Sequence, residues 1–160
     1  MSCDNENRLD ELQKELRLER LIHSREVRIV VYNTSENWAA QLPNHNWLCV
    51  VVSDDRDRNY LDEVITKLIF NDVCWINTVG KQCEVLHDLV DEELAYREVE
   101  ELYLPKHDII TTWDHNLKEG IWFSTSAAYH NEVSINTVII LDMTNGRRLE
   151  EIEVALKSIE

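Results

Sequence analysis

Trp47-Leu-Cys-Val-Val-Val52 is an unbroken apolar run closed by the polar stretch Ser53-Asp-Asp-Arg-Asp57. A strand with one wet face alternates apolar and polar residues, so a continuous run of this length fits a strand covered on both faces. Residues 60–70 then place Leu61, Val64, Ile65 and Leu68 on one helical face. A buried strand, a polar turn and an amphipathic helix make the repeating unit of a parallel α/β sheet.

The same unit recurs outward from this point. Upstream, residues 27–32 are β-branched and strand-like, and residues 38–42 form a short helix that Pro43 ends. Downstream, the pattern predicts strands over 73–77, 108–113 and 135–141, with helices over 81–102, 117–129 and 147–160. Val85, Leu86, Leu89, Val90 and Leu94 are the expected inward face of the helix over 81–102. The alternation predicts an α/β fold of three layers, Rossmann-like or flavodoxin-like, with about five mainly parallel strands and helices on both faces. By that analogy the strand order is expected to be 2-1-3-4-5. Residues 1–160 read as one domain, in which residues 1–25 carry an amphipathic N-terminal helix that packs on the domain or on a partner.

Composition narrows the function. Among 160 residues, 31 are acidic and 16 basic, for a formal net charge of −15. Such a surface lacks the Lys/Arg needed to neutralise phosphates or to dock on anionic lipid. No apolar run approaches the roughly 20 residues of a membrane span. The polar, acidic start Met1-Ser-Cys-Asp-Asn-Glu-Asn7 does not resemble a signal peptide, and a cytoplasmic protein is expected. The cysteines at 3, 49, 74 and 83 form no CxxC pair, which disfavours a zinc knuckle. Cys49 and Cys74 lie in apolar strand patterns, while Cys83 could be exposed, with nothing nearby that clearly activates it.

Ligands of open parallel sheets bind beyond the carboxyl ends of the strands. Those ends carry Asn33-Thr34-Ser35, Ser53-Asp54-Asp55, Asn77-Thr78, Trp113-Asp114-His115 and Asp142. Neither GxGxxG nor GxxxxGK[ST] occurs, and Arg56 is the one basic residue at these ends, so phosphate cradling has no support. Asp54, Asp55 and Asp57 are candidate ligands of a hard cation such as magnesium. With Asp114 and His115, Asp54 and Asp55 would form a catalytic carboxylate/His site. The competing reading makes Asp54–Asp57 a helix cap.

The predicted helix over 81–102 carries Asp91, Glu92, Glu93, Glu98, Glu100 and Glu101 among its acids. A charge run can be a solvated face or a docking surface for a basic partner. Trp38, in a short polar helix, is a candidate partly exposed anchor for such a partner. Trp47, Trp75, Trp113 and the Trp122-Phe123 pair are assigned to the core. The terminal helices could support a homodimer.

Ile109-Ile-Thr-Thr-Trp113-Asp-His115, followed by Gly120-Ile-Trp-Phe123 and Ala127-Ala-Tyr129, resembles a family of small uncharacterised bacterial α/β proteins with a strand, a TTW-plus-His/acid turn and a Trp-Phe helix. In this chain Asp114 stands between the Trp and the His. The resemblance implies the fold and brings no activity with it.

These readings lead to an expected function: a non-enzymatic, acidic interaction module, of the inhibitor or immunity type, that binds a basic protein without a cofactor. The alternatives are a metal-dependent hydrolase or phosphotransferase at the strand ends, and a small-molecule or nucleotide sensor at the same place.

Overall fold

The computed structural model describes residues 20–160. Six strands, β1 (Arg20–Ile22), β2 (Arg25–Val31), β3 (Trp47–Val52), β4 (Trp75–Val79), β5 (Ile110–Asp114) and β6 (Thr137–Asp142), form one sheet in the order β1-β2-β6-β3-β4-β5. All neighbours are parallel except β1 and β2. The helices are α1 (Arg58–Phe70), α2 (Cys83–Val99), α3 (Leu117–Trp122) and α4 (Leu149–Lys157). A 3-10 turn (Trp38–Gln41) precedes β3, and a π-helical turn (Phe123–Ala127) continues α3.

The α/β class and the mainly parallel sheet follow the expectation from periodicity. The strand order does not. Counted without β1, the five predicted strands lie in the order 1-5-2-3-4, because β6 inserts between β2 and β3. From Val138 to Asp142 every residue of β6 is buried, and a strand of that kind needs neighbours on both edges as well as both faces.

Arg20–Ile22, expected at the end of a helix, is instead a strand hairpinned to β2. His23 (φ 48°) and Ser24 (φ 68°) form the turn, and positive φ at both central residues matches the twist of the flanking strands. The rest of the predicted N-terminal helix lies outside the described residues.

Two apolar layers cover the sheet. On one face the 3-10 turn, α1 and α2 pack Trp38, Leu61, Leu68, Leu86 and Val90 against Cys49, Val51, Ile76 and Ile139. On the other, α3 and α4 pack Leu117, Ile121, Ile152 and Leu156 against Leu48, Val50, Val79 and Ile140. The helices after β3 and β4 therefore lie on one face and those after β5 and β6 on the other. Adjacent strands whose helices diverge leave a crevice at their carboxyl ends, here between β3 and β6 and between β4 and β5.

Several side chains depart from their predicted burial. Val85 is exposed, because the inward stripe of α2 runs through Cys83, Leu86 and Val90. Trp38, expected as a partly exposed anchor, is only 3% exposed and packs edge-on to Tyr32. Trp113 and Trp122, both assigned to the core, are 44% and 53% exposed. Trp113 stands on the terminal strand of the sheet, which has a neighbour on one side only. Trp122 follows the buried Ile121 by one helical position, which turns it about 100° away from the core.

Candidate functional site

At the β3/β6 crevice the acidic run is neutralised from across the sheet. Buried Asp142 turns the chain after β6 by accepting from the Thr144 N–H at 2.8 Å, the Thr144 hydroxyl at 2.6 Å and the Gly146 N–H at 2.9 Å. The turn delivers two arginines to the loop after β3. Arg148 donates to Asp54 Oδ1 at 3.2 Å and Arg147 to Asp55 Oδ1 at 2.6 Å. Asp54 Oδ1 also accepts from the Lys81 N–H at 2.9 Å, and the Arg147 hydrogen bond holds the Asp55 carboxyl below its usual range. Arg56 donates to the Met143 carbonyl at 2.6 Å and lies over the Tyr32 ring. Asp57 occupies the N-cap position of α1 without a side-chain cap bond.

Two of the candidate cation ligands are thus engaged within the chain. Asp54 and Asp55 meet guanidinium groups, and their oxygens satisfy ion pairs that sequence separation had hidden. Among the described residues, no three His, Cys, Asp or Glu side chains are placed to hold a metal ion.

Asp114 and His115 also part company. Asp114 Oδ1 accepts from the Asn116 N–H at 2.8 Å, and Asn116 in turn caps α3 by accepting from the Glu119 N–H at 3.0 Å. His115 points toward α2, with Nδ1 3.3 Å from Cys83 Sγ and Nε2 3.7 Å from Glu84. Cys83, whose exposure the sequence leaves open, is buried beside His115, and burial pushes its pKa up. A neutral, enclosed thiol is a poor nucleophile.

The acids of α2 divide by face. Glu93 accepts from Arg97 at 2.7 Å and Glu92 lies 4.0 Å from Arg58. Asp91 accepts from the Thr111 hydroxyl of β5 at 2.7 Å. Glu84, Asp88, Asp91 and Glu98, at helical spacing, thus run beside β5 as an acidic stripe. Glu100 and Glu101 lie beyond the helix and are exposed.

On the opposite flank of β5 lies a cavity of about 510 Å³ against α3. Its lining includes Asn77, Thr112, Asp114, Glu119, Trp122 and Phe123. Buried Asn77 donates to Ser124 Oγ at 2.9 Å and to the Gly120 carbonyl at 3.2 Å, while its own Oδ1 accepts from Thr112 at 3.0 Å. Thr112 also accepts from the Trp75 indole at 2.9 Å. The polar floor is thus internally bonded, and the carboxylates of Asp114 and Glu119 stand among aromatic walls. A cavity of this size, mostly apolar with a few polar groups, is the usual form of a binding site.

Residues 27–159 match the family described as a domain of unknown function (DUF7684). The chain belongs to that family. The match agrees with the resemblance to an uncharacterised α/β family, and the DUF7684 region contains both crevices, the acidic stripe and the cavity. No curated protein and no solved structure matches the chain. No helix among the described residues is long and apolar enough to cross a membrane.

Of the strand-end residues expected to line a site, Asn77, Trp113 and Asp114 line this cavity, Asp114 being the one catalytic candidate among them. Thr112, Glu119, Trp122 and Phe123 were not expected there, the last two having been assigned to the core. The available signal was steric: consecutive bulky residues 121–123 cannot all face one core from a helix.

Proposed function

We propose that this member of the DUF7684 family is a non-enzymatic protein-interaction module that docks a basic partner along β5. One observation carries the reading. The terminal strand of the sheet carries the exposed Trp113, with the exposed Trp122 of α3 beside it at the same cavity, and is bordered by carboxylates from two helices. Trp is enriched among the residues that dominate interface energies, and complementary charge steers encounter and fixes register. The acidic stripe of Glu84, Asp88, Asp91 and Glu98 borders one side and Asp114 with Glu119 the other. The excess of 15 negative charges selects a basic partner over an acidic one.

The test is affinity capture with wild-type protein, then titration of the purified partner at low and raised salt. Trp113→Ala and the double reversal Glu84→Lys/Asp88→Lys should each weaken the complex by about tenfold or more. The reversal Glu100→Lys/Glu101→Lys, away from β5, should leave it within about twofold, and raised salt should weaken the wild-type complex. Equal losses from both reversals, an acidic partner, or recovery of no partner would overturn the assignment.

A further inference from the structure

The cavity between β5 and α3 has acids and aromatic rings but no basic group among its lining residues. Elsewhere the chain fills such a combination with its own arginine. Buried Arg97 donates to Glu93 at 2.7 Å while its guanidinium carbon lies 5.1 Å from the centre of the Phe70 ring. Arg56 lies over Tyr32 at 5.1 Å and Tyr60 at 6.0 Å, donating there to neutral oxygens, the Met143 carbonyl and the Asn145 side-chain amide, in place of a carboxylate. At the cavity, Trp122 and Phe123 supply the rings, and Glu119 and Asp114 the carboxylates, with no guanidinium from the described residues between them.

We infer that this cavity is a receptor for a guanidinium group, carried by an arginine in an extended segment of the partner that lies along the outer edge of β5. The inference rests on the docking surface proposed above and adds the residue it reads. A planar, delocalised cation can stack on an indole while donating in parallel to a carboxylate, which a compact ammonium does less well. Asp114 Oδ1 is engaged by the Asn116 N–H, and no side-chain donor reaches the Glu119 carboxylate among the described residues, so acceptor capacity is open on both.

Geometry favours an extended occupant. Thr112 and Asp114 face α3, where Thr112 bonds Asn77 and Trp75, whereas Thr111 bonds Asp91 on α2 and the Trp113 ring meets His115. A segment paired with β5 would alternate in the same way. One of its side chains would enter the cavity, and those on either side would meet Trp113 and the acidic stripe. Recognition of a strand by a sheet edge, with main-chain bonds for affinity and a pocket for specificity, is a recurrent mode of peptide binding.

The test uses the full chain and three probes: the peptide acetyl-Thr-Val-Arg-Val-Thr-amide, the same peptide with citrulline for arginine, and agmatine as a free guanidinium compound. Binding is read by calorimetry and by the shift of the Trp122 indole N–H resonance, assigned with Trp122→Phe. The arginine peptide should bind at least about tenfold tighter than the citrulline peptide, and Glu119→Gln should reduce that preference at least about fivefold. Agmatine should bind much more weakly than the peptide; equal affinity would overturn the peptide source and assign the cavity to a free organic cation. No shift of the Trp122 resonance with either guanidinium probe would overturn the receptor itself. That failure is separate from failure of the docking surface, which is read by Trp113→Ala and Glu84→Lys/Asp88→Lys with the captured partner.

Discussion

Arg148 Nη1 lies 3.2 Å from Asp54 Oδ1 across 94 residues of chain. The contact clasps the loops after β3 and β6 together through one of the candidate cation ligands. Asp54 is mostly buried and also accepts from the Lys81 N–H, so Asp54→Asn should cost about 1–2 kcal/mol, as for the loss of a charge-assisted hydrogen bond. Urea midpoints of wild type, Asp54→Asn, Arg148→Ala and the double variant would measure the coupling. Magnesium should raise the melting temperature of wild type no more than that of Asp54→Asn; a selective rise would assign a cation to Asp54.

The tryptophans should separate into two classes. Trp38 is enclosed against Tyr32, so Trp38→Ala should cost about 3–5 kcal/mol through lost burial and a cavity. Trp113→Ala, at a half-open position on the sheet edge, should cost less than about 1 kcal/mol. Chemical denaturation checks both, and iodide quenching should be lost largely with Trp113 and Trp122.

The floor of the cavity is the most sensitive part of the β4/β5 crevice. Asn77→Ala removes the partner of Thr112, Ser124 and the Gly120 carbonyl inside the protein, which should cost about 2–4 kcal/mol. Gly120→Ala should be harmful too, by about 1–3 kcal/mol, since an added Cβ would lie 2.4 Å from Val79 Cγ1. A Gly120→Ala variant as stable as wild type would show that α3 does not press on β4 this closely.

Burial pushes the Cys74 thiol up to about 11, with Arg25 nearby acting in the opposite direction. The unfolded thiol ionises near 8.5. The folded value is the higher one, so this group's contribution to stability is full below about pH 8.5 and is lost as pH rises toward 11. Urea midpoints at pH 7.5, 9 and 10.5 should therefore fall more steeply in wild type than in Cys74→Ala. Parallel profiles in the two proteins would show that the thiol is not held neutral by the fold.

Periodicity determined what each segment could become. The unbroken run at 47–52 required cover on both faces, and the 3.6-residue spacing of Leu61, Val64, Ile65 and Leu68 supplied part of it. Alternation of such units was enough for an α/β fold with a mainly parallel sheet, and composition was enough for a strongly acidic surface. These properties are local, carried by residues a few positions apart.

Relations between distant segments were decided only by tertiary structure. Backbone hydrogen bonds pair any two strands alike, so nothing in residues 137–142 names β2 and β3 as its neighbours. Terminal position, which exposes Trp113, follows from that order and not from the run Ile-Thr-Thr-Trp-Asp itself. The pairing of Asp54 with Arg148 and the meeting of Asn77 with Thr112 likewise join groups far apart in the chain. A side chain's chemistry is set by its residue type, but its partner is set by the packing of the layers.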